Sequence, residues 1–267
     1  MHEFDDDTKV EPSGEGLWRG TVTDRWNIGR APNGGYLLAI GLAALERALP
    51  HPHPVTATAH YLRRTEPGGV DIEVETVRRG TSLSTGQAKL VQEGRERVRL
   101  LATYRDLSSL QGATAVSVSP PELPAPDQLP SSARAPGLPT VAERFDLRLT
   151  PGSVSWALGA RSGVAEVQGW VRFADGREPD VRSLAVFADA MPPAVMNIVE
   201  AGWVPTIELT VQVRGIPASG WLSCRFSTRF LIGGYLEEDG EVWDSRGRLV
   251  ALSRQLARVN PPRLSRA

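Results

Sequence analysis

Between Tyr36 and Leu49 only Gly41, Glu46 and Arg47 interrupt an apolar run. A helix over such a stretch is hydrophobic on nearly every side, so it belongs inside a fold rather than on its surface. Asn33 is a good N-cap for it, and Pro50 ends it. Residues 34–49 would span roughly 24 Å at the α-helical rise, short of what a bilayer needs from a uniformly apolar segment. The run therefore predicts a core helix wrapped by a sheet. Gly34 and Gly35 follow the cap directly; they cost helix stability and leave bare backbone N–H groups at the positive end of the dipole. Two readings are open: these N–H groups receive a ligand oxygen, or the missing side chains let another element approach closely.

Composition narrows the function classes. The chain has 267 residues, 41% hydrophobic and 23% charged, with 30 Lys and Arg against 31 Asp and Glu. That balance, without any basic run, argues against nucleic acid or a membrane surface as partner and for a small-molecule substrate. The opening MHEFDDD is acidic and has no apolar segment behind it. This predicts no signal peptide, no membrane span and a cytoplasmic location. Cys224 is the single cysteine; it excludes an internal disulfide and a multi-cysteine metal site, and its strand-like surroundings predict a small buried hydrophobe.

Residues 1–15 are expected to be frayed and 17–22 to form a short strand. From 55 to 64 the residues alternate, with Val55, Ala57, Ala59 and Tyr61 on one face and Thr56, Thr58 and His60 on the other. Strands at 70–79, 82–92 and up to 105 follow, separated by glycine-containing turns. The first half thus reads β-α-β-β-β-β. Between 107 and 140 prolines crowd among Ser and Ala, at Pro120, Pro121, Pro124, Pro126, Pro130, Pro136 and Pro139, which predicts a linker. Beyond it strands are expected at 141–149, 153–158, 164–173, 206–214, 221–230, 234–244 and 248–259, with a helix over 181–199. The expected division is an N-terminal unit 1–106, a linker 107–140 and a C-terminal unit 141–267.

The two units match each other. Thr56 in Val-Thr-Ala-Thr-Ala lies over Thr206 in Pro-Thr-Ile-Glu-Leu, 150 positions on, and Arg97-Val-Arg-Leu-Leu-Ala lies over Arg248-Leu-Val-Ala-Leu-Ser, 151 positions on. One plan used twice predicts an α+β architecture: two long buried helices packed near one another, each in the curve of an antiparallel sheet, the two sheets joined edge to edge.

Chemistry is sought where the copies diverge. At the 150 offset Asp189 faces Ala39, and a carboxylate among Leu, Ala, Val and Phe is expensive to bury without partners or a task. Pro192 and Pro193 leave a second reading, that Asp189 caps the segment restarting at Ala190. At the 151 offset Gln255 faces Tyr104, on a strand where a glutamine is ordinarily solvated. Thr206 faces Thr56 and alone reads as an ordinary strand residue.

Taken together, Asn33-Gly-Gly-Tyr36, Tyr61-Leu-Arg-Arg64, Arg78-Arg-Gly-Thr-Ser-Leu-Ser-Thr85, the proline-rich connector, Phe187-Ala-Asp189, Pro205-Thr-Ile-Glu208 and Arg254-Gln255 resemble the type II (TesB-like) acyl-CoA thioesterases. The resemblance covers residues 17–259 and implies a double hot-dog fold. It also implies that Asp189, Thr206 and Gln255 of the second half hold an attacking water. Where characterised members carry Thr-Ile-Asp-His, this chain has Thr206-Ile207-Glu208-Leu209, nearer to the looser thioesterase-like branch.

The expected activity is hydrolysis of an acyl-CoA to free acid and CoA by direct attack of that water, with CoA as part of the substrate and no cofactor or metal. Gly34 and Gly35 are the expected oxyanion donors from the first helix. The paired arginines Arg63, Arg64, Arg78 and Arg79, or Arg214 and Arg229, are candidate phosphate clamps, beside the reading of solvated strand ends. No Gly-x-Ser-x-Gly elbow or nucleotide-binding glycine pattern appears. Two alternatives stay open: a protein that binds acyl-CoA or another acyl conjugate without turning it over, and a hot-dog hydratase or dehydratase. The second half has no histidine for the latter. Open sheet edges and faces lead us to expect a homo-oligomer, a dimer or larger.

Overall fold

Thirteen strands among the described residues pair into one antiparallel sheet that curls around the apolar helix. The computed structural model describes residues 2–131 and 139–261. Its first half runs α1 (Glu3–Asp7), β1 (Val10–Gly14), β2 (Leu17–Val22), a ribbon of β3 (Asn27–Ile28) and β4 (Ala31–Pro32), α2 (Gly34–Ala48), β5 (His53–Tyr61), β6 (Gly68–Arg79), β7 (Ser84–Gln92) and β8 (Arg95–Arg105). The second half runs β9 (Phe145–Leu149), α3 (Pro151–Val154), β10 (Glu166–Phe173), α4 (Leu184–Phe187), β11 (Thr206–Val213), β12 (Leu222–Ser227), β13 (Leu231–Ile232), β14 (Tyr235–Trp243) and β15 (Leu249–Arg258).

The strand order is β1-β2-β6-β7-β8-β5-β11-β15-β14-β12-β10-β9, with β13 on the flank of β14. The run β2-β6-β7-β8-β5 is mirrored by β10-β12-β14-β15-β11, so the chain is a double hot-dog whose halves join at β5 and β11. There Thr58 lies opposite Thr210, their hydroxyls 2.8 Å apart. Every residue of α2 from Gly35 to Leu45 is buried, as its all-round apolarity requires. Glu46, near its end, pairs with Arg182 of the other half at 2.9 Å.

Three segments differ from their expected form. The N-terminus is ordered: Phe4 is buried, with its ring 5.9 Å from that of Trp26 and 5.2 Å from that of Phe173, and Asp7 accepts the Trp26 indole N–H at 2.8 Å. One aromatic anchor thus ties the terminus to both halves. Residues 153–158 turn rather than extend, because Pro151 pre-sets a helical start and Gly159 closes the turn in the left-handed region (φ 77°). Among the described residues the second half has no long helix. α4 is a single turn, and Pro192 and Pro193 offer no N–H to prolong it, so the chain resumes only as a short 3-10 turn at Ala194–Asn197.

The connector carries no strand among its described residues. It runs along the second half, with Pro124 accepting the Trp170 indole N–H at 2.9 Å and Leu129 accepting from Arg148 at 3.0 Å. Its residues 132–138, like the tail past 261, lie outside the described residues. Cys224 is buried on β12 as a small core residue.

Candidate active site

Asp189 stands just past α4, where the helix gives out: its N–H still donates to Val186 at 3.1 Å, and prolines follow. Its side chain caps a helix, though not the one restarting after it. Oδ2 accepts the Gly35 N–H and the Asn33 amide, both at 2.9 Å, and the Asp189 main-chain oxygen accepts the same amide at 2.8 Å. Asn33 meanwhile caps α2, its Oδ1 accepting from the Tyr36 N–H at 2.9 Å. Burial pushes the Asp189 carboxyl up to about 6, against the pull of the Gly35 and Gly34 N–H groups and the Asn33 amide.

Both readings of the glycines meet here. A Cβ on Gly35 would come within 2.8 Å of the Val186 Cα, so only glycine lets α2 and α4 touch. The N–H groups exposed by that closeness bind a carboxylate of the protein itself. The expected oxyanion role of Gly34 and Gly35 meets a competitor here: the Gly35 N–H is engaged by Asp189, and Gly34 faces the same group.

Thr206, at the first residue of β11, donates its hydroxyl to Gln255 Oε1 at 2.8 Å. Gln255 projects inward from β15 and donates its amide to Glu238 Oε1 at 2.9 Å, its cross-strand neighbour on β14. Glu238 Oε2 in turn accepts the Ala194 N–H at 2.6 Å. Glu238 is 4% exposed. Burial raises its carboxyl to about 7, opposed by the Ala194 and Gln255 bonds and helped by the charge of Asp189. The structure therefore brings Thr206 and Gln255 into direct contact, and holds Asp189 by separate donors, near enough for its charge to raise Glu238. Ser253, two residues before Gln255 on the same face of β15, reaches to 3.5 Å from the oxygen of Ala188, the residue preceding Asp189.

Donor and acceptor counting sets what this group can do. The Thr206 proton is committed to Gln255, which leaves the hydroxyl oxygen to accept. One Gln255 amide hydrogen is committed to Glu238, which leaves the other to donate. Both donors to the Asp189 carboxylate bind Oδ2. A water given protons to donate toward Asp189 Oδ1 and Thr206, and accepting from Gln255, keeps one lone pair for attack.

Two neighbours went unremarked in the residue pattern. Glu238 had a signal: Leu236, Glu238, Gly240 and Val242 share the inward face of β14, where a carboxylate is out of place. Tyr61, read as an inward strand residue, has a buried hydroxyl with no hydrogen-bond partner among the described residues. In the first half the corresponding places are inert. Ala39 is fully buried, and Tyr104, whose cross-strand neighbour is Ser84, donates to Leu42 O at 3.1 Å. Of the candidate phosphate clamps, Arg64 is paired with Glu66 and Arg229 with Asp239, while Arg63 and Arg79 donate to the main-chain oxygens of Glu96 and Ala48. Among the described residues no cluster of three or more metal-ligating side chains occurs, and no helix is long and apolar enough to cross a membrane.

The family model for the acyl-CoA thioesterase N-terminal domain matches residues 22–105, and that for the acyl-CoA thioesterase C-terminal domain matches residues 119–259. A provisionally assigned thioesterase II from Thermobifida fusca superposes with a TM-score of 0.90 at 31% identity, over 97% of this chain and 98% of that one. A hot-dog protein of unknown function from Alicyclobacillus acidocaldarius superposes with a TM-score of 0.88 at 23% identity, over 98% and 99%. An uncharacterised protein of Mycobacterium tuberculosis is 28% identical over 91% of each chain.

Proposed function

This chain belongs to the acyl-CoA thioesterase family, and we propose that its own reaction is hydrolysis of an acyl-CoA by a water held between Asp189, Thr206 and Gln255. The observation that carries the proposal is the asymmetry of the two halves. In the second half Asp189 just past α4, Thr206 at the start of β11 and Gln255 on β15 stand where the first half has Ala39, Thr56 and Tyr104, and the acid is raised to about 6. A carboxyl at that value is largely ionised at neutral pH yet basic enough to take a proton from water.

In the proposed sequence the water oxygen forms a bond to the thioester carbon while its proton passes to Asp189 Oδ1. The tetrahedral intermediate collapses with cleavage of the C–S bond. The leaving thiol has a pKa near that of cysteine, roughly 8.5, so it departs as a thiolate without a strong acid. This suits a site in which every described hydrogen bond leads to a carboxylate, an amide or a hydroxyl and none to a histidine.

The test is thiol release from a panel of acyl-CoAs, short to long, by the unsubstituted protein and by Asp189→Ala. We expect the substitution to lower kcat by about a hundredfold or more. Turnover by the variant within about twofold of the parent rejects the mechanism, and no release from any acyl-CoA by the parent favours the binding-only reading.

A further inference from the structure

The Gly35 N–H is spent on Asp189, so the oxyanion of the proposed reaction needs a donor from elsewhere. We propose that the Tyr61 hydroxyl is that donor and bonds the carbonyl oxygen of the acyl thioester; the assignment rests on the hydrolase reading above and adds to it a residue of the first half.

Three observations meet at this hydroxyl. It is buried and has no hydrogen-bond partner among the described residues. An unmade hydrogen bond on a buried phenol costs about 1–3 kcal/mol unless a bound molecule meets it. Its position is at the mouth of α2: the oxygen lies 2.8 Å from where a Cβ on Gly34 would sit, and Asp189 Oδ2 lies 3.1 Å from that same point. A single small region beside a helix N-terminus is therefore bordered by the Asp189 carboxylate, through the oxygen that Gly35 and Asn33 hold, and by an uncommitted donor. The strand pairing brings Thr206 to the same end. His60 of β5 lies opposite Glu208 of β11, so Tyr61, one residue on, and Thr206, two residues back, flank the junction of the halves.

The protonation state is the one a donor requires. Burial, and then the charges of Asp189 and Glu208, drive the phenol well above its ordinary value, so it keeps its proton throughout the working range. The negative charge that opposes ionisation of the ground-state phenol does not prevent it from donating to an oxygen on which charge develops. Gly34 has a matching reason to lack a side chain, since a Cβ there would strike the Tyr61 ring end.

The experiment reads the carbonyl contact without hydrolysis. Binding to the full chain and to Tyr61→Phe is measured by calorimetry with two CoA conjugates, in a short-chain pair and a long-chain pair. One is an S-alkyl-CoA thioether, which has no carbonyl; the other is a ketone analogue in which a methylene replaces the sulfur, so that the carbonyl stays and cannot be hydrolysed. We expect Tyr61→Phe to weaken the ketone analogue about tenfold and to leave the thioether within about twofold, with a melting temperature no lower than that of the parent. With a turned-over substrate, kcat should fall about ten- to a hundredfold while KM barely moves. Equal losses for both conjugates, no loss for either, or no binding of either by the parent protein overturns the assignment. Turnover by the parent and its loss in Asp189→Ala decide the hydrolase reading separately.

Discussion

Asn33 of the first half holds Asp189 of the second by two oxygens at once, the main-chain oxygen at 2.8 Å and Oδ2 at 2.9 Å. Because the same side chain caps α2, the start of the central helix and the orientation of the acid are set together. The two halves are joined through this residue.

Replacing Asn33 by alanine removes a donor that favours the charged form of Asp189, whose carboxyl already stands raised to about 6. Acyl-CoA hydrolysis by the parent protein should fall as pH drops through about 6, and in Asn33→Ala the acidic limb should move upward by about one unit. Loss of the cap and the cross-half bonds should also cost about 1–2 kcal/mol. A pH profile of kcat/KM together with urea unfolding checks both; an unmoved acidic limb in a folded variant contradicts the coupling.

Glu238 is raised by burial to about 7 from an ordinary 4.5. The protonated form is the one the fold favours, so its contribution to stability is complete below about 4.5 and is lost as pH rises through about 7, amounting to roughly 3 kcal/mol at 1.4 kcal/mol per unit. Glu238→Gln should flatten that part of the stability profile. It should also reverse the amide of Gln255, because a glutamine has one acceptor where Ala194 and Gln255 use two. With the amide reversed, Gln255 donates to Thr206 and the freed Thr206 proton turns toward the water, competing with the proton the water gave it, and kcat should fall at least about tenfold. Unfolding measured at pH 5 and pH 8 and turnover at neutral pH test this; an unchanged slope or full activity counts against it.

Gly35→Ala inserts a Cβ within 2.8 Å of the Val186 main chain, which cannot swing aside as a side chain does. The halves must separate locally, so we expect a loss of about 1–3 kcal/mol and a drop in turnover larger than that stability change accounts for, since the Gly35 N–H also leaves Asp189. Thermal melting and thiol-release assays on the same preparation measure both. A variant with parental melting temperature and kcat shows that the contact between α2 and α4 yields freely.

The architecture was legible because hydrophobic pattern and repetition are local properties of the chain. The all-round apolarity of α2 demands burial wherever it sits, the alternation along β5 to β8 fixes strand faces, and Thr56 and Thr206 announce the duplication. The same duplication pointed to Asp189 and Gln255 as departures from Ala39 and Tyr104. It passed over Glu238 for a countable reason. Glu238 pairs with Gln255 as Ser84 pairs with Tyr104, but Ser84 and Glu238 are 154 positions apart, not 150 or 151, because the hairpin from Glu238 to Gln255 is three residues shorter than the one from Ser84 to Tyr104. The long second helix failed because Pro192 and Pro193 outweigh the apolar residues before them.

From its residues alone this chain is committed to a buried first helix, two copies of one sheet and an acid, hydroxyl and amide in the second copy, since pattern, propensity and repetition act over neighbouring residues. Which donors each polar atom meets was decided by the packing of the halves. Contacts such as Asn33 to Asp189 and Tyr61 beside Gly34 join residues that are remote in sequence. Their hydrogen bonds exist only once β5 has paired with β11 and α2 has closed on α4.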